Sequence, residues 1–181
     1  MLIMTSKQRQ WVGTLSKKIY DIVNPDEQRL DIDLYEVVRL IGGRIESLSD
    51  LNPHESIVKG KNEGENDKFI IYINKNNCFQ RQRFSIAHEI GHLFLHMDFA
   101  TPKWGSIPEG ESYYRRVGIF TPVEDEASEF AASFLMPGDL FRRVAGDHRQ
   151  NEKYVVKDIA SAFNVSEEAA IRRGRSLGLW R

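Results

Sequence analysis

The sequence has little cysteine, no long apolar run and almost no net charge. Its 181 residues include one cysteine, Cys78, which excludes an internal disulfide framework and is typical of a reducing compartment. No apolar run approaches the about 18 residues that a membrane-spanning helix needs, and residues 1–11 lack the apolar core of a signal peptide. We therefore expect a cytoplasmic protein without a membrane partner. The net charge of −1 produces no overall attraction to nucleic acid.

The chain length is that of about one domain with a substantial core. Apolar residues at helical spacing predict helices within residues 11–23 and 34–41, and the second helix stops at the glycine pair 42–43. Three segments have the composition of short strands: residues 44–48, 55–58 and 68–74. The strand ending at Asn74 is interpreted either as a sheet edge that pairs with extended substrate or as an ordinary core strand.

The segment His88-Glu89-Ile90-Gly91-His92 carries the strongest chemical signal in the chain. Residues four apart on a helix share a face, so both imidazoles can bind one metal ion, with Glu89 beside them as a base. The alternative is a chance HExxH motif on a solvated helix. Apolar residues flank the polar stripe on two sides, which favours a buried helix with one face open to a polar cavity. Gly91 destabilises such a helix, which indicates a close approach at that point.

The third metal ligand is expected downstream of the histidine pair. His96 lies eight residues of helix beyond His88, about 12 Å along the axis, which is too far for one zinc ion and indicates a structural role. Residues 123–135 predict a helix with an acidic start. Glu126 borders its apolar face and is favoured by helical phase over Glu124, which remains the alternative, whereas Glu129 points away.

Two segments together resemble the ImmA/IrrE family of metallo-endopeptidases. Residues 83–96 read RFSIAHEIGHLFLH, and residues 124–137 read EDEASEFAASFLMP. The resemblance implies that His88, His92 and Glu126 bind Zn²⁺ and that Glu89 is the catalytic base. Ser128 stands where the family pattern usually has asparagine.

The fold that the resemblance implies is α+β. It is a compact zincin-like domain over residues 1–150, in which a small, mostly antiparallel sheet packs on the HExxH helix, followed by further helices. The implied activity is zinc-dependent cleavage of a partner protein by metal-activated water. The implied substrate is a helix-turn-helix transcriptional repressor encoded nearby, in phage, mobile-element or stress regulation. The alternative is a non-catalytic regulatory or toxin–antitoxin partner with a structural metal site.

Two further segments carry weaker signals. Residues 97–122 form a long irregular stretch in which Tyr113 and Tyr114 are candidate oxyanion donors, as is His148 further on. Residues 151–181 resemble a helix-turn-helix whose second helix begins after Ser166 and carries three arginines: Arg172, Arg173 and Arg175. We expect this segment to pack on the same domain, with DNA contact as the alternative.

Overall fold

The computed structural model describes residues 4–25, 29–49, 57–60, 67–106, 112–114 and 122–180. The N-terminal half of this part contains, in chain order, α1 (Ser6–Val23), α2 (Leu34–Leu40), β1 (Gly43–Leu48), β2 (Ile57–Gly60), β3 (Phe69–Asn74) and α3 (Phe79–Leu95). After a 3-10 helix (Pro102–Ser106) come β4 (Ser112–Tyr114), α4 (Pro122–Leu135), α5 (Gly138–Asp147), β5 (Arg149–Gln150), β6 (Lys153–Tyr154), α6 (Val156–Ala162) and α7 (Glu167–Ser176). The expected α+β class is confirmed.

The main sheet has the strand order β1-β3-β2-β4. Strand β1 runs parallel to β3 from the pair Gly43 and Phe69 onward, and the other two pairings are antiparallel. The sheet is therefore mostly antiparallel, as expected. The interpretation of the strand ending at Asn74 as a sheet edge is wrong, because β3 is hydrogen-bonded on both sides. Its three isoleucines, Ile70, Ile71 and Ile73, are all buried in this central position.

Glycine ends α2 as the sequence predicts, and a second glycine opens the sheet. Gly42 has a φ of 87°, which L side chains rarely adopt. A Cβ on Gly43 would lie 2.3 Å from Cε2 of Phe69, so the first residue of β1 must be glycine for Phe69 to fill the core. The chain thus turns directly from α2 into the sheet.

Helix α3 is the central element of the core. Its middle is buried over consecutive residues from Ser85 to Leu93, and its main neighbour is α4. A Cβ on Gly91 would lie 3.1 Å from the carbonyl oxygen of Ala127 and 3.2 Å from its Cα. The close approach that Gly91 predicts is therefore the crossing of α3 and α4. On the other side of α4 lies α1, where Ser16 Oγ donates to the Phe130 carbonyl over 3.4 Å.

The C-terminal segment contains the two helices α6 and α7, and α7 contacts the rest of the chain. Ser166 caps α7 by accepting a hydrogen bond from the Ala169 amide. The Arg173 side chain is 7% exposed, and its Nε donates to the Met136 carbonyl over 2.9 Å. A Cβ on Gly174 would lie 1.9 Å from Cζ2 of Trp180, so this glycine makes room for the indole ring. The boundary at residue 150 stays a prediction.

The outer surface carries two of the apolar residues that mark the first helix. Trp11 and Ile22, which mark the first helix by their spacing, are 57% and 78% exposed, so the buried face of α1 is narrower than its apolar pattern. Among the helices of the described residues, none has both the length and the apolar character needed to cross a membrane.

Candidate metal centre

Helix α3 brings His88 and His92 together one turn apart. Their Nε2 atoms lie 3.0 Å apart, and the side chains are 1% and 2% exposed. Ring centroids are separated by 4.7 Å, so the imidazoles meet edge to face and their Nε2 atoms converge on one point. The spacing of four residues produces this convergence, as the sequence predicts for a continuous helix.

The first turn of α4 completes the group with Glu124. Its Oε2 lies 3.2 Å from Nε2 of His88, and its Oε1 lies 3.3 Å from Nε2 of His92. The ligand atoms of these three residues lie within 4.8 Å of one another. All three side chains are mostly enclosed, so the group lies inside the contact between α3 and α4.

The structure places Glu124, and not the expected Glu126, beside the histidine pair. Glu124 lies three residues before Ala127, whose backbone touches Gly91, so it faces α3 at the crossing. Glu126 lies about 200° further around the helix, and its Oε2 is 3.2 Å from Nε2 of His96. Glu129 faces away from the histidines and pairs with Arg173, with an N–O distance of 3.3 Å.

Both histidines of the pair have a second contact through the outer ring nitrogen. Nδ1 of His88 lies 3.4 Å from Oγ of Ser128, and Nδ1 of His92 lies 3.0 Å from Nδ1 of His96. His96 is thus outside the inner group but touches one of its members. Such outer contacts hold an imidazole in one orientation and one tautomer.

The electrostatics of the site favour an ionised Glu124 and a neutral His96. Burial by itself raises the pKa of the Glu124 carboxyl, but hydrogen bonds and charge from His88 and His92 outweigh it and lower this pKa well below its usual range. Burial lowers the pKa of His96, and its hydrogen bond to Glu126 opposes this only in part. The carboxylate is the protonation state in which Glu124 can bind a metal.

Glu89 follows His88 in α3 and is 1% exposed. It lies in the same buried segment of this helix as the two histidines. Withdrawing a carboxylate from water is costly unless positive charge or hydrogen bonding compensates for it. Its placement next to a site for a cation is consistent with that requirement.

The three inner residues fit a zinc ion. Ligands about 2.0 to 2.1 Å from a tetrahedral zinc ion lie about 3.3 to 3.4 Å from each other. Here the two Nε2 atoms lie 3.0 Å apart, and they lie 3.2 and 3.3 Å from the two different oxygens of the Glu124 carboxylate. Two imidazoles and one carboxylate are also the donor set of one class of catalytic zinc site, in which a fourth position stays open.

Comparison with known proteins places the chain in a family. The model of the IrrE N-terminal-like domain, Peptidase M78, matches residues 49–114 and 120–174, which is more than half of the chain. The chain belongs to this family. The match covers both histidines and Glu124, so the inner group lies within the matched residues. The resemblance seen in the sequence is confirmed.

The fold also has a counterpart among solved structures. A Mycobacterium tuberculosis transcriptional regulator superimposes with a TM-score of 0.56 at 17% identity, covering 90% of this chain. At this identity the likeness shows the fold alone. The chain spans 46% of the length of that regulator. No curated protein matches the chain.

The remaining candidate residues lie apart from this group or outside the described side chains. The side chains of Tyr113 and Tyr114 lie outside the described residues. His148 follows α5, is 40% exposed and lies 3.8 Å from the Asp158 carboxylate. The residue that helical phase ranked second, Glu124, is the one that the geometry favours. The contact of Ala127 with Gly91 identifies it, because Glu124 lies one turn before Ala127 on α4.

Proposed function

We propose that the protein is a zinc-dependent endopeptidase whose ion is held by His88, His92 and Glu124. The observation that supports this most directly is the convergence of two imidazole nitrogens, 3.0 Å apart, on the Glu124 carboxylate, whose two oxygens lie 3.2 and 3.3 Å from them. The buried Glu89 follows His88 in the same helix. Membership in a peptidase family agrees with the proposal. This proposal replaces Glu126 by Glu124 in the ligand set implied by the sequence.

A bound zinc ion supplies Lewis acidity, which polarises a peptide carbonyl and makes nearby water more acidic. Glu89 then has the role of base: its carboxylate takes a proton from the attacking water and passes it to the leaving amine. The imidazoles of His88 and His92 must be neutral at Nε2 to act as ligands. Their enclosure between α3 and α4 keeps them fixed and limits access of water.

The substrate that we propose, from the family resemblance, is a helix-turn-helix repressor encoded nearby. Cleavage would relieve repression in a mobile element or a stress response within the cytoplasm. A direct role of α7 in DNA binding is less favoured, because Arg173 is buried against the Met136 carbonyl and Arg172 pairs with Glu168 at 2.6 Å. Arg172 and Arg175 are the exposed cations among the three arginines, which is few for binding a DNA backbone.

The test combines metal analysis with cleavage of the neighbouring repressor. Zinc-loaded wild type should cleave the repressor, and zinc-loaded Glu89→Gln should be about 10² to 10⁴ times slower, because a positioned base contributes about that much. Asp125→Asn on α4 is the control, since it removes an acid without removing a proposed ligand or base. Both variants should retain zinc.

Two results would contradict the proposal. Cleavage by zinc-loaded Glu89→Gln at the wild-type rate would exclude Glu89 as the base. A wild type that binds zinc but cleaves no candidate repressor would favour the non-catalytic regulatory partner with a structural metal site.

A further inference from the structure

A chain of contacts leads from His92 away from the inner group to the surface. Nδ1 of His92 lies 3.0 Å from Nδ1 of His96, and Nε2 of His96 lies 3.2 Å from Oε2 of Glu126. Oε1 of Glu126 lies 3.5 Å from Nε2 of Gln8, which is in the first turn of α1. The His96 side chain is 9% exposed, so its contacts are largely shielded from water.

The donor and acceptor of each link follow from the metal site. If Nε2 of His92 is the ligand atom, the lone pair of Nε2 binds the metal, so the proton of the neutral ring must be on Nδ1. That Nδ1–H can only donate, so Nδ1 of His96 must be the accepting nitrogen. His96 then carries its proton on Nε2 and donates it to the Glu126 carboxylate. The Gln8 side-chain amide donates to the other oxygen of Glu126.

We propose that Glu126 and His96 are positioning residues that fix the tautomer of His92 and strengthen its bond to the metal. This inference rests on the metal site of the proposed function. It assigns to Glu126 a role through His96, in place of the direct ligand role that the sequence implies. A carboxylate that orients a metal-binding histidine is a common arrangement in metal sites, and here a second histidine is inserted between the two.

The two inner histidines differ in this respect. Nδ1 of His88 faces the neutral Ser128 hydroxyl at 3.4 Å. Nδ1 of His92 instead lies 3.0 Å from His96, and His96 in turn contacts the Glu126 carboxylate at 3.2 Å. Hydrogen bonds that involve an ionised partner are stronger than neutral ones. Loss of the Glu126 charge should therefore reduce zinc affinity more than loss of the Ser128 hydroxyl.

Zinc affinity is the first measurement, made by competition with a chromophoric chelator. Glu126→Ala and His96→Ala should each weaken binding about 10- to 100-fold, the usual effect of removing an outer contact of a metal ligand. The double variant should be no weaker than His96→Ala alone, because the contribution of Glu126 passes through His96. Glu126→Gln keeps an acceptor oxygen and should recover part of the loss. Asp125→Ala and Ser128→Ala are the controls. Asp125→Ala should leave the zinc affinity unchanged, and Ser128→Ala should reduce it less than Glu126→Ala does.

The tautomer of His92 is the second measurement, made by nitrogen-15 NMR on zinc-loaded protein, because without metal Nε2 of His92 can donate to Glu124 instead. Wild type should have the proton on Nδ1 of His92 and zinc on Nε2, and Glu126→Ala should show a mixture of this form and the form with the two nitrogens exchanged. A loss of zinc in Glu126→Ala that persists undiminished in the His96→Ala background would show that Glu126 is a direct ligand. Unchanged affinity and an unchanged tautomer in both single variants would refute the positioning role.

Neither measurement involves peptide cleavage. Failure of the wild type to cleave a repressor would count against the proposed function and would leave this inference standing. A wild type that binds no zinc would refute both the proposed function and this inference.

Discussion

Replacing Gly91 by alanine tests the link between helix packing and the metal site. The new Cβ would lie 3.1 Å from the Ala127 carbonyl oxygen, 3.2 Å from its Cα and 3.2 Å from Cβ of Phe130. These neighbours are backbone atoms and a Cβ, which cannot rotate aside, so α4 must move outward by a few tenths of an ångström. Glu124 lies on that part of α4, so its carboxylate should move away from the two histidines.

The expected change in the free energy of unfolding is the difference between a gain in helix propensity and a loss from overpacking. Alanine stabilises a helix interior by about 1 kcal/mol relative to glycine, whereas overpacking a core costs about 1 to 3 kcal/mol. We expect Gly91→Ala to lower the free energy of unfolding by up to about 2 kcal/mol. Gly146→Ala on α5 is the matched control, because nothing lies within 4 Å of its added Cβ, and it should stabilise the protein.

Chemical denaturation of both variants without metal gives the two free energies, and chelator competition gives their zinc affinities. In thermal unfolding, each kcal/mol should appear as a change of about 2 to 4 °C for a domain of this size. Stabilisation by Gly91→Ala as large as that by Gly146→Ala, with unchanged zinc affinity, would refute the close crossing of α3 and α4.

Three further changes have defined outcomes. Zinc at about 100 times its dissociation constant should stabilise wild type by about 2.7 kcal/mol, seen as a rise in Tm, and Glu124→Ala should lose this rise. Arg173→Ala should cost about 3 to 5 kcal/mol in urea denaturation, because it leaves the mostly buried Glu129 without its nearest cation, and adding Glu129→Gln should recover part of the loss. Gly174→Ala should displace Trp180, lower stability by about 1 to 3 kcal/mol and shift the tryptophan fluorescence, whereas an unshifted spectrum would contradict the packing of that ring.

The parts of the site that depend on local geometry could be predicted from the sequence. A spacing of four residues brings His88 and His92 together on any continuous helix, and the surrounding apolar residues indicate that this helix is buried. Gly91 likewise predicts a close approach, since glycine inside a helix is unfavourable without one. The two segments that carry the family resemblance contain all of these residues.

Contacts between distant segments could not be predicted in the same way. The apolar face of α4 is broad, and both Glu124 and Glu126 border it, so its pattern cannot show which acid faces His88. Only the crossing of Gly91 with Ala127 decides this. The apolar residues of β3 suit a central strand and an edge strand equally, because strand neighbours depend on the rest of the sheet. From the sequence, Arg173 is expected at the surface like most arginines. In the structure its side chain is buried and contacts Glu129 and the Met136 carbonyl.

The two acids of α4 act on α3 at different positions because a helix turns by about 100° per residue. Glu124 reaches the Nε2 atoms of the inner pair, while Glu126, two residues later, reaches the outer histidine, His96. Both contacts depend on one crossing, which Gly91 keeps close. A shift of α4 along α3 would therefore alter the proposed ligand and the proposed positioning residue together. For this reason we expect metal binding and the packing of these two helices to be coupled, each stabilising the other.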